Sequence, residues 1–113
     1  MAFEDRACEY LKRIGYDIVL RNYKPTKYSE VDIIAVDHGC FVGVEVKGLT
    51  RKADAVFGAD FIRAMISKRK IFKITSALNL YLQSSGDVNA QARIDVVFIS
   101  GGDLFHYKNV STQ

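Results

Sequence analysis

The stretch Ser29-Glu-Val-Asp-Ile-Ile-Ala-Val-Asp37, the turn His38-Gly39 and the run Cys40-Phe-Val-Gly-Val-Glu-Val-Lys47 decide the fold. Both arms are rich in Val, Ile and Ala, which suits strands, yet they carry charges where buried strands are apolar. Side chains alternate along a strand, so Glu30 and Asp32 share one face, as do Glu45 and Lys47. With His38-Gly39 as a two-residue turn, Asp37 pairs with Cys40. That register sets Asp32 opposite Glu45, and Glu30 opposite Lys47. Two facing carboxylates repel unless a cation lies between them. A divalent metal with a lysine beside it answers that need, and the hairpin reads as a metal-dependent hydrolase site. The plainer alternative is a Glu30–Lys47 ion pair on a solvated face, with Asp32 and Glu45 as surface acids. The apolar content of both arms argues against it.

Working outward, Ala7, Tyr10, Leu11 and Ile14 repeat at helical spacing over residues 3–15, and Gly15 stops the helix. Asp17 to Asn22 reads as a short strand, broken by Lys24-Pro25-Thr26. Residues 48–60 read as loop. A helical region follows, with a phase break at Ser67, which caps a main helix running to about residue 83. Arg93 to Ser100 is a strand, and Gly101-Gly102 turns it into a last short strand, Leu104 to Tyr107. The order is α-β-β-β-α-β-β, a single α/β domain over residues 1–113.

The chain has 113 residues, 49% hydrophobic and 26% charged, the balance of a globular protein and not a disordered one. Its N-terminus is charged where a signal peptide needs an apolar core, and no apolar run is long enough to span a bilayer, so a cytoplasmic location is expected. Cys8 and Cys40 lack metal-site spacing and read as buried thiols. The net charge of +3 is mild, but Lys68, Arg69, Lys70 and Lys73 cluster, as do Arg51 and Lys52. These groups favour a polyanionic partner and are the candidate nucleic-acid contacts. Lys70 opens the main helix and faces either the site or solvent.

Phosphodiester hydrolysis needs an activated water and neutralisation of charge on the phosphate; Mg²⁺ or Mn²⁺ supplies both. Mg²⁺ prefers oxygen ligands, commonly one or two carboxylates with waters and substrate. Asp32 and Glu45 fit, with the Val46 carbonyl as a third oxygen. Lys47 then orients the attacking water or stabilises developing charge. Glu4 points toward the buried stripe of the first helix. There it either faces the metal site or complements the helix dipole. Asp95, in an apolar strand, reads as structural and paired with an arginine such as Arg93. His38 reads as a turn residue, and His106 has no partner at metal or triad spacing.

A Glu in the first helix, then Asp, then Glu-x-Lys resembles the PD-(D/E)XK nuclease superfamily. Over residues 3–110 the chain is similar to the YraN family of predicted endonucleases, distantly related to archaeal Holliday-junction resolvases. The likeness rests on Glu4-Asp-Arg-Ala7, Tyr10-Leu11, Gly15-Tyr16, Arg21-Asn22, Glu30-Val-Asp32-Ile-Ile-Ala35, Val44-Glu-Val-Lys47, Lys70, Tyr81-Leu82 and Arg93-Ile-Asp-Val-Val97. It implies a restriction-endonuclease-like fold, a central mixed sheet flanked by helices. It implies catalytic positions at Glu4, Asp32, Glu45 and Lys47, with Glu30 and Lys70 as auxiliaries. Ser29 stands where the family's glycine precedes the Glu-x-Asp motif. Leu49 stands where an arginine follows the lysine, with Arg51 the nearest substitute. The expected activity is Mg²⁺- or Mn²⁺-dependent cleavage of branched or single-stranded DNA, with a homodimer as one arrangement. The competing expectations are a non-catalytic nucleic-acid-binding module that keeps the fold, and a protein-interaction domain with an acidic pocket.

Overall fold

A computed structural model describes residues 2–49 and 66–110 of the chain. The hairpin forms as its sequence dictates. Strand β2 (Ser29–Asp37) and strand β3 (Cys40–Leu49) pair antiparallel, with Asp37 opposite Cys40 and Ile34 opposite Gly43. His38 and Gly39 both take positive φ, 49° and 80°, as a tight hairpin turn requires. Strand β1 (Asp17–Thr26) flanks β2, while β4 (Ala92–Ser100) and β5 (Asp103–Tyr107) extend the other side. The sheet order is β1-β2-β3-β4-β5. Every neighbouring pair is antiparallel except β3–β4, which is parallel and therefore needs a crossover.

Helix α1 (Phe3–Arg13) begins with Glu4 and Asp5 and ends with Lys12 and Arg13, charges that complement its dipole. Gly15, at φ 102°, lets the Tyr16 N–H reach the Leu11 carbonyl at 2.9 Å, which stops the helix. Helix α2 (Lys68–Ser85) starts at Ser67, whose side chain accepts the Lys70 N–H at 3.0 Å. Both boundaries are those the sequence predicts. The Phe61 to Met65 part of the expected helical region lies outside the described residues, as does all but the start of the expected 48–60 loop.

The helices cover opposite faces. Ala7, Cys8 and Leu11 of α1 pack with Ile33, Ala35, Val42, Val44, Val97 and Ile99. Ile71, Ile74, Leu78 and Leu82 of α2 pack with Val31, Ile34, Val96 and Phe98. This is the expected mixed sheet between helices. Among the described residues no helix is long and apolar enough to cross a membrane.

Three expectations change. Strand β1 does not end before Pro25 but runs to Thr26. It is an edge strand, and its pairing with β2 is irregular between Tyr23 and Thr26, so the missing N–H leaves no central ladder bond broken. Cys8 is buried, but Cys40 is only half-buried beside the hairpin turn. Glu30 does not sit across from Lys47, because the β2–β3 ladder stops at Ile33–Val44.

Candidate metal and nuclease site

The end of that ladder makes the site. In a regular hairpin of this register the next hydrogen-bonded pair would be Val31–Val46. Instead the Val46 N–H donates to Asp32 Oδ2 at 2.8 Å, so a side chain replaces the strand carbonyl. Alternation breaks at the same point: Val31 packs on the α2 face and Ile33 on the α1 face. The bend leaves Asp32 beside Glu45 at the open end of the hairpin.

Glu45 is 3% exposed, and its Oε1 is buried with no hydrogen-bond partner among the described residues. Burial, and after it the Asp32 carboxylate, push the Glu45 carboxyl up to about 7, against the pull of Lys70 and Lys47. Lys47 Nζ lies 3.6 Å from Glu45 Oε2, and Lys70 Nζ lies 3.6 Å from Glu45 Oε1. Lys70 therefore faces the site and not open solvent. Burial works against its ammonium, but Glu45, Glu30 and Asp32 outweigh that and hold its pKa above the usual lysine value. Glu30 accepts from Lys70 at 3.5 Å and pairs with Lys73 at 3.6 Å, and these lysines lower its pKa despite some desolvation. A cavity of about 210 Å³ opens beside Asp32, lined by Asn22, Tyr23, Lys24, Glu30 and Val31.

The remaining predicted residues are arranged differently. Glu4, in the first turn of α1, accepts at Oε1 from Arg21 Nε at 3.1 Å, and the neighbouring Asp5 accepts from Arg21 Nη2 at 2.7 Å. Among the described residues no three His, Cys, Asp or Glu side chains converge as a metal cluster. The acids brought together are thus Asp32 and Glu45, with Glu30 at the rim. Lys68 and Arg69 are exposed at the start of α2. Arg51 and Lys52 lie outside the described residues.

Such a pair still fits Mg²⁺ or Mn²⁺. Two hard carboxylates and a buried unsatisfied oxygen are what an ion completed by water and phosphate needs.

A second polar constellation, on the α1 face, escapes sequence reading. Asp95 is fully buried and accepts from Arg93 Nε at 3.0 Å, Tyr16 Oη at 2.8 Å and the Asn109 N–H at 3.0 Å. His106 Nε2 lies 2.8 Å away, and His106 Nδ1 lies 2.9 Å from Tyr10 Oη. Burial opposes ionisation of Asp95, yet His106, Arg93, Asn109 and Tyr16 outweigh it and hold its pKa down at about 2. An ionised carboxylate cannot donate, so Nε2–H of His106 must. Arg93 also binds Asp37 at 2.8 Å. The pairing of Asp95 with Arg93 is as expected; the only local sign of the rest is an acid in an apolar strand.

The family described as "Uncharacterised protein family UPF0102" matches residues 3–99. A UPF0102 protein of Sulfurihydrogenibium sp. strain YO3AOP1 is 37% identical, covering 95% of this chain and 88% of its own length. One from Persephonella marina is 36% identical over 94% and 86% of the two chains. One from Desulfosudis oleivorans is 43% identical over 88% and 76%. The carboxylate pair on a bent hairpin thus sits in a chain that belongs to the UPF0102 family, the YraN-like group predicted to be PD-(D/E)XK nuclease-like.

Proposed function

We propose that the protein is a Mg²⁺- or Mn²⁺-dependent endonuclease that hydrolyses DNA phosphodiester bonds. The observation that carries this reading is the buried Glu45 carboxylate, whose Oε1 has no hydrogen bond among the described residues, beside Asp32 and between Lys47 and Lys70. A bound divalent ion would supply a polarised phosphoryl oxygen and an acidified water. Asp32 and Glu45 would hold it, with the Val46 carbonyl as a further oxygen. Lys47, more than a third exposed at the mouth, would orient the attacking water and offset charge developing on the phosphate. Glu4 would assist by releasing Arg21 and turning toward the site. Lys68 and Arg69 at the start of α2 would hold flanking phosphates, together with Arg51 and Lys52. Lys70 and Lys73 would add charge from the next turn. The substrate in this reading is branched or single-stranded DNA, and a homodimer would bring two such sites onto one branched molecule.

Lys47→Ala is expected to cut cleavage by about 10²–10³-fold while sparing Mn²⁺ binding. Calorimetric titration of Mn²⁺ in the presence of a non-cleavable branched DNA should show binding in wild type that Asp32→Ala loses. Retained cleavage in Lys47→Ala would remove the role given to that lysine, and no binding in wild type would remove the metal. The engagement of Glu4 with Arg21 favours one second reading, a non-catalytic nucleic-acid-binding module. It requires DNA affinity unchanged by Asp32→Ala and no product under any divalent ion.

A further inference from the structure

Lys70 approaches the carboxylate pair from α2, not from the strands that carry it. Its Nζ lies 3.6 Å from Glu45 Oε1, the oxygen that no hydrogen bond satisfies, and 3.5 Å from Glu30 Oε1. It therefore stands between a carboxylate that is 3% exposed and one that is 36% exposed. Lys73, one helical turn on, reaches the same Glu30 oxygen at 3.6 Å. The three carboxylates Glu30, Asp32 and Glu45 thus lie among the cations Lys47, Lys70, Lys73 and Lys24.

We propose that Lys70 is a displaceable counter-ion, which neutralises Glu45 until a divalent cation takes that oxygen and then moves onto Glu30. The proposal rests on the metal-site reading above and adds a specific opposition to metal binding. A divalent ion on Glu45 Oε1 would repel the neighbouring ammonium by more than the ammonium gains from that oxygen, so the lysine is the one to leave. A lysine head on a flexible four-carbon stem can swing, and Glu30 already offers it a landing place toward water. A divalent ion entering a site already lined by these lysines adds two positive charges, which a phosphodiester partly offsets. Metal loading is thereby tied to the arrival of an anionic substrate, and Lys70 sets the threshold.

The test is Mn²⁺ titration of the full chain without DNA, with free Mn²⁺ followed by electron paramagnetic resonance. It is run at about pH 8, above the Glu45 value. Lys70→Met should bind Mn²⁺ on the order of tenfold more tightly than wild type. Lys70→Gln, kept as a second neutral variant in case the first folds poorly, should do the same. Lys70→Arg, which keeps the charge, should stay within about twofold of wild type. Glu30→Gln should weaken binding, and that loss should vanish in the Glu30→Gln/Lys70→Met double variant, since Glu30 acts here only through Lys70. Equal or weaker binding by both neutral variants overturns the counter-ion role and leaves the metal site standing. Absence of binding in wild type and neutral variants alike overturns the metal site itself, and this role with it.

Discussion

A carboxyl buried as deeply as Glu45 keeps a proton that an exposed one has lost. Its value of about 7, set first by burial and then by Asp32, lies above the ordinary range near 4.3 that it would have in the unfolded chain. The folded, metal-free protein therefore binds this proton more tightly than the unfolded chain does. The associated stability is fully present below about pH 4 and is lost as pH rises through about 7. Glu45→Gln should remove that decline. Above pH 7, in EDTA, it should exceed wild type by about 1–3 kcal/mol in urea unfolding, the gap closing toward pH 4. Parallel curves for the two proteins would mean that Glu45 ionises freely. That Asp32 and Glu45 lie near each other was readable from sequence, because a two-residue turn sets the hairpin register, although the ladder ends before the two can pair across it. The substitution of Asp32 for a strand carbonyl was not. It depends on the ladder ending at Ile33–Val44, which no local pattern announces.

At the scale of elements, α1 is seated on β3 through Gly48. A Cβ at that position would run into the Phe3 ring, and Gly48 has no positive φ, so what the glycine supplies is room. Gly48→Ala should push the first turn of α1 off the sheet and cost about 1–3 kcal/mol in thermal unfolding. Phe3→Ala in the same chain should recover most of that loss, because the ring is 41% exposed and adds little by itself. Additive losses would show that the two positions do not meet. The helix ends at Gly15 and Ser67 were legible because caps and stops are chemistry within a few residues. Pro25 misled because its effect depends on whether β1 lies at the edge or the centre of the sheet, a property of the whole topology. Lys70 was ambiguous for the same reason: its face is settled by how α2 lies over β2 and β3.

Across the whole molecule, two polar centres occupy opposite faces of one sheet. The carboxylates and lysines lie under α2, and the Asp95 network lies under α1, where it joins α1, the hairpin end, β4, β5 and Asn109. Its partners are up to 96 residues apart, which is why sequence spacing hides it. Because the folded value of about 2 lies below the ordinary carboxylate range, Asp95 contributes stability above about pH 4 that is lost as pH falls toward 2. Asp95→Asn should cost about 2–3 kcal/mol at neutral pH, and its disadvantage should shrink over that acid window. A constant gap from neutral pH down through that window would assign the loss to packing alone.

The agreement of sheet order with chain order bears on how the molecule is assembled. β2 and β3 each pair with the strand made just before them, so the first 49 residues hold every partner that this three-strand meander needs. Asp32, Glu45 and Lys47 can come into register while the rest of the chain is still being synthesised. Among the described strands the non-local pairing is β3 to β4, closed across α2, and loop closure makes it the slow one. The carboxylate pair therefore exists before the lysines of α2 that shield it. Until β4 docks, the nascent domain is a half-sheet with an open acidic notch, at its most exposed to cations and to pairing with a neighbouring chain.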